Sequence, residues 1–283
     1  MSYLLKIYLR GSFMANDIQV QGNDYFYMIL KAAMNVPGVH INRNDFLRKE
    51  LSKNFDRSIV DLAIQKNPAS AGIKTDTLER IANACIKYES NKVTLLSAAA
   101  GIPGGVAMFG TVPADMAQYF AHIVRILQKL IYLYGWQDIY NEDGEFDDAT
   151  LNQLTLFIGV MFGVNAANAV VKKLADSAAR HAEKTLARKA LTKGAVYPIV
   201  KKVATMIGVK MNKEIFAKSV GKIVPGLGGL VSGTITYATF KPLAVRLKEY
   251  LQTLPIADTE FYKQGNNDVI DIDFTDIDVS DDE

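Results

Sequence analysis

Cysteine is almost missing from this chain: Cys85 is the only one in 283 residues. No disulfide can form within the chain, which suits a reducing compartment. Histidine is nearly as scarce. His40, His122 and His181 lie far apart, and no His-Glu-x-x-His pattern gives them zinc-ligand spacing. There is no phosphate loop of the G-x-x-x-x-G-K-[ST] type. Gly226-Leu-Gly228 opens like a dinucleotide fingerprint but lacks the third glycine and a preceding strand, and Ser232 is one residue off a nucleophile elbow. Neither a metal nor a cofactor is expected. Nor does the start read as a convincing signal peptide: its apolar core around Tyr3, Leu4 and Leu5 is broken by Lys6, Arg10 and Gly11, and Met14 is a second candidate start.

Charge is unevenly spread. The formal net charge is +2, yet residues 258–283 hold ten acids and one lysine, leaving 31 basic against 20 acidic residues elsewhere. Residues 172–222 alone carry 13 Lys and Arg against Asp176, Glu183 and Glu214. A basic block and an acidic tail each seek a partner of opposite sign, and each can serve the other. Lys172, Lys173, Arg180, Lys184, Arg188, Lys189, Lys201 and Lys202 are the candidate contacts to anionic lipid. Nucleic acid would attract the same charges. With only Tyr197 and Phe216 as aromatics, the block has little with which to stack bases. The plain reading is a solvated helix face.

Helical periodicity dominates from Asn44 onward. Phe46, Leu47, Leu51 and Phe55, then Ile59, Leu62 and Ala63, fit short amphipathic helices. Over 75–89, Leu78, Ile81, Ala82, Cys85 and Ile86 share one apolar face, which makes Cys85 a core residue rather than a nucleophile. Over 115–134, Met116, Phe120, Ile123, Leu127, Leu130 and Tyr134 form another, with Gly135 as the stop. Asp115, Gln118, His122, Arg125, Lys129 and Tyr132 mark a polar stripe on that helix. Such a stripe ordinarily meets water; in a helix packed all round it would line an internal polar path. The loop 139–150 resembles a calcium loop about Gly144, but Ile139 and Thr150 stand where carboxylates belong.

Three long segments have no charge at all: 93–114, 149–171 and 223–240. The first is long enough to cross a bilayer at ~1.5 Å per helical residue. Pro103, Gly104 and Gly105 break the first, and Pro225, Gly226, Gly228 and Gly229 break the third, so both read as helical hairpins. Only 149–171 reads as one uninterrupted helix, and Asn152, Gln153, Asn165 and Asn168 weaken it as a span. Small residues let such helices approach closely, within one chain or between copies. A buried hairpin in a soluble bundle would carry the same pattern.

The elements Leu96–Gly105 (LSAAAGIPGG), Val112–Asp115 (VPAD) and Leu133–Trp136 (LYGW), followed by the later glycine-rich hairpin, occur in an order that resembles the EcsC family of bacterial proteins. The resemblance covers about residues 73–251. It implies a helical, cytoplasmic or membrane-associated protein; the family's founding member is encoded beside an ABC transporter. No catalytic residues come with it.

These readings converge on an all-α bundle with glycine-rich helical hairpins. Residues 1–40 are expected to be irregular, 41–256 to form the helical domain, and 257–283 to be an acidic disordered tail. The expected function is non-enzymatic binding of anionic lipid at the cytoplasmic face of a membrane, accessory to transport or membrane remodelling, with the tail free to shield the basic block or recruit a protein. The alternatives are a soluble bundle that holds an apolar ligand such as a lipid, and an enzyme built around Asp115, His122 and Arg125.

Overall fold

The computed structural model of the chain describes residues 25–100, 108–109, 112–141, 146–180, 191, 196–221, 228–264 and 277; for 96–100, 108–109, 112–115, 209–221 and 228–237 it describes the backbone alone. The fold is all-α, a bundle of helices, as the periodicity predicts.

Residues 25–34 form α1, where an irregular segment was expected. Phe26, Ile29, Leu30, Ala33 and Met34 recur at helical spacing and are all buried. Pro37 and Gly38, turn formers by type, follow its last residues, and Gly38 has φ +76°. α2 (Arg43–Leu51) is capped by Asn42, whose side chain accepts from the Asp45 N–H. α3 (Arg57–Gln65) follows and packs on α2.

α4 (Thr75–Ala100) buries the expected face: Leu78, Ile81, Ala82, Cys85, Ile86 and then Val93. Past residue 107, Met108–Phe109 (β1) and Val112–Pro113 (β2) pair antiparallel, Met108 with Pro113 and Phe109 with Val112. Proline lacks the N–H that a helix interior needs, and Pro113 stands in the strand pair just before α5 (Ala114–Leu133). Gly135, with φ +99°, ends α5 as expected. The Trp136 N–H reaches back to the Ile131 carbonyl and the Gly135 N–H to that of Tyr132, a Schellman closure.

The second uncharged segment is not one helix. α6 (Asp148–Met161), capped by Asp147, and α7 (Asn165–Arg180) meet at Gly163, φ +70°. The Val164 N–H bonds the Gly159 carbonyl and the Gly163 N–H that of Val160, which closes α6 by the same device. Arg246 Nη1 donates to the last carbonyl of α6, Met161, at 2.9 Å. Every residue from Ala149 to Met161 is buried, so the want of charge reflects enclosure by protein on all sides. Gly159 is the point of closest approach: a Cβ there would fall 2.6 Å from Val203 Cγ1 and 2.7 Å from Ala167 Cβ.

α8 (Val196–Gly221) and α9 (Gly228–Gln252) complete the bundle. α9 runs unbroken through Pro242. α9 lies along α4 and also touches α5 and α6; α6 contacts α5, α7 and α8. Among the described residues, no helix is long and apolar enough to cross a membrane.

The chain continues as a 3-10 turn (Pro255–Ala257) against α7, then as α10 (Thr259–Lys263), capped by Asp258. The start of the expected disordered tail is therefore ordered. Asn67 Nδ2 donates to the Tyr262 hydroxyl at 2.7 Å. Ile277 also packs, partly buried, against the core. The rest of the tail lies outside the described residues, as do the turns at Pro103, Gly104, Gly105, Pro225 and Gly226; Gly228 and Gly229 form the first turn of α9.

Candidate functional site

Glu89 occupies a core position on α4, in register with Leu78, Ala82, Cys85 and Val93, and it is fully buried. An isolated carboxylate there would be untenable. α5 supplies the compensation. The imidazole N–H at His122 Nδ1 donates to Glu89 Oε2 at 2.9 Å, and Lys129 Nζ donates to Oε1 at 2.7 Å. Arg125 Nη2 reaches Oε1 at 3.4 Å, while its Nη1 donates to the Gly38 carbonyl in the α1–α2 loop. Burial pushes the Glu89 carboxyl up, but the bonds from His122 and Lys129 and the charges of Lys129 and Arg125 win and hold it down at about 2. Both oxygens are engaged, and such a low proton affinity suits a permanent anion rather than a general base. His122 is 4% exposed, so the stripe that was expected to meet water turns inward at this point.

The same loop is held by Gln128, also fully buried. Its Nε2 donates to the Val39 carbonyl, and its Oε1 accepts from the Ile41 N–H. Beneath it, buried Arg43 donates to three carbonyls: Trp136 at 2.9 Å, Ile64 at 2.8 Å and Lys66 at 3.2 Å. These are the C-terminal ends of α5 and α3, where the helix dipole is negative. Burial lowers the proton affinity of this guanidinium. Glu89, His122, Gln128 and Arg43 thus have structural employment.

The loop resembling a calcium site is partly accounted for. Asp147 accepts from the Thr150 N–H as a helix cap, and Thr150 Oγ1 donates to the Ile139 carbonyl at 2.7 Å. Among the described residues, no group of His, Cys, Asp and Glu could hold a metal ion.

The outer surface carries the remaining predicted residues. Lys172, Lys173 and Arg180 lie on α7, opposite its buried Val170, Val171, Leu174 and Ala175. Lys201 and Lys202 are exposed on α8, which packs on α7, and Lys201 Nζ sits 4.8 Å from the ring centre of exposed Tyr197. Asp176 is the acid on this face; burial raises its carboxyl, against the charges of Lys172 and Arg180. Gln118 is exposed and takes no part in the buried cluster. Lys184, Arg188, Lys189 and the side chain of Asp115 lie outside the described residues.

Three site residues were missed in the sequence. Glu89 could have been found as the one carboxylate on the apolar face of α4. Tyr88 and Leu95 had no local signal: they are the most exposed large hydrophobic side chains among the described residues, at 58% and 71%. They lie seven positions apart on α4, with exposed Lys92 between them, and so share one face. No protein-family model matches this chain, and no curated protein or solved structure shows significant similarity to it.

Proposed function

We propose that this protein is a non-enzymatic helical protein that binds anionic membrane surfaces from the cytoplasmic side, accessory to transport or membrane remodelling. The observation that carries this reading is the far end of α4. Tyr88, Lys92 and Leu95 form an exposed aromatic, basic and aliphatic stripe that leads directly into the uncharged residues 96–107. An apolar ridge with a lysine beside it suits the boundary between head groups and acyl chains. Burying a side chain such as Leu95 contributes about 1.5–3 kcal/mol. The basic face of α7 and α8 adds about 1 kcal/mol for each Lys or Arg near an anionic surface. The order of the chain's short elements resembles that of the EcsC family. It agrees with a helical, membrane-associated protein.

Vesicle co-sedimentation tests the reading. Binding is expected to vesicles of phosphatidylglycerol and phosphatidylcholine, to weaken with salt, and to be slight on phosphatidylcholine alone. Leu95→Ser and the triple variant Lys172→Glu/Lys201→Glu/Lys202→Glu should each weaken it by tenfold or more. Absence of binding to anionic vesicles at low salt overturns the proposal. In that case, lipid co-purified with detergent-free protein in native mass spectrometry would favour a bundle that encloses an apolar ligand.

A further inference from the structure

Residues 265–283 contain eight acids and no basic residue. The structure fixes where this stretch leaves the bundle. The Pro255–Ala257 turn packs on α7, and the Arg180 guanidinium lies 5.5 Å from the ring centre of Phe261 on α10. Tyr262 is tied to Asn67 by a 2.7 Å hydrogen bond. The acidic stretch therefore begins at the C-terminal end of α7, beside the last basic residue of that helix's outer face. It also returns: Ile277, flanked by Asp276 and Asp278, packs against the core. Lys172 lies about 12 Å along α7 from Arg180 at ~1.5 Å per residue. Five extended residues, enough to bring Asp268 from Lys263, span about 16 Å. The chain from Lys263 to Asp268 is thus long enough to match the span of α7 between Arg180 and Lys172.

We propose that this acidic stretch is the intramolecular occupant of the basic α7–α8 face and competes there with anionic lipid. The competition rests on the membrane reading above; the contact itself does not. Carboxylates and apolar residues are interleaved from Asp268 to Val279: in an extended chain Asp268, Asp276 and Asp278 would share one side and Asp271 and Asp273 the other, so each side would carry both charge and apolar anchors such as Phe274 or Ile277. The attraction is electrostatic and largely exposed, so it weakens as the screening length falls below about 8 Å.

Two measurements on the full-length protein decide the matter. Zero-length carbodiimide coupling, read by mass spectrometry, should join tail carboxylates to Lys172, Lys173, Lys201 or Lys202 within one chain at low salt. The yield should fall at half-molar salt. A chain ending at Gln264 keeps α10 and its Tyr262 anchor. It should bind phosphatidylglycerol vesicles about tenfold more tightly than the full chain, the scale expected for one or two uncovered lysines. The variant Asp268→Asn/Asp271→Asn/Asp273→Asn/Asp276→Asn/Asp278→Asn keeps Ile277 and the chain length, and should match the truncated form. Absence of intramolecular couplings, or equal vesicle affinity of all three proteins, overturns the proposal. Coupling between chains only points to a tail that recruits another molecule, and overturns it too. Intramolecular couplings with no vesicle binding by any form support the contact and refute the membrane reading.

Discussion

Glu89→Gln removes one charge from the interior and leaves the side-chain volume almost unchanged. In the folded protein the carboxyl titrates at about 2, against an ordinary value of 4.5. That depression corresponds to about 3 kcal/mol of stability at neutral pH. The sign follows from proton uptake. Between about pH 4.5 and 2 the unfolded chain accepts a proton that the folded chain refuses, so this contribution is full above pH 4.5 and lost as pH falls toward 2. The glutamine variant should therefore unfold with about 3 kcal/mol less stability at pH 7, a loss of roughly 6–12 °C in Tm for a protein of this size. Its deficit relative to the parent should shrink toward zero across the acid window. Part of the loss reflects Lys129 and Arg125, left without their anion; Glu89→Gln/Lys129→Met should recover some of it. Guanidinium unfolding followed by far-UV circular dichroism at a series of pH values measures each quantity. Equal stability of variant and parent at pH 7, or a gap that stays constant down to pH 2, would refute the reasoning.

Other positions give independent checks. Gly159→Ala puts a methyl group within 2.7 Å of side chains on α7 and α8; it should cost about 1–3 kcal/mol by overpacking, read as a lower denaturation midpoint at unchanged slope. Arg43→Lys keeps the charge but cannot span three carbonyls, so a loss of about 2 kcal/mol is expected, and an unchanged midpoint would deny Arg43 its bridging role. Burial pushes the Cys85 thiol up to about 11. At pH 8 it should resist a disulfide reagent in native buffer and react fully in denaturant; fast native labelling would contradict the packing of α4.

Much of the bundle was legible because its signals are local. The faces of α4 and α5 repeat within a few residues, and Gly135 stops α5 where the apolar pattern ends. The failures are instructive in the same terms. α1 is short, and the turn formers Pro37 and Gly38 just beyond it make its surroundings read as irregular. Gly163 looked like one small residue among many in an apolar run; only its left-handed backbone makes it a helix end. Pro242 carries a breaker's signature, yet packing of α9 against α4 outweighs one lost hydrogen bond. The buried cluster required pairing across 33 residues, from Glu89 to His122, which no window of helical length contains. Its trace was nonetheless present: a carboxylate on one apolar face, and His122, Arg125 and Lys129 at helical spacing on the next helix.

Arg43 has a consequence for how the molecule comes apart. One side chain from α2 serves the ends of α3 and α5, which are 93 residues away at the farthest contact. If α2 frays, its guanidinium takes water, but the three carbonyls it leaves are still enclosed and must be desolvated without a partner or exposed by further opening. The cheap first step of unfolding is thereby removed from the N-terminal helices. Amide exchange in α2, α3 and the last turn of α5 should then rise together, as a single cooperative unit, instead of in order of distance from the chain terminus.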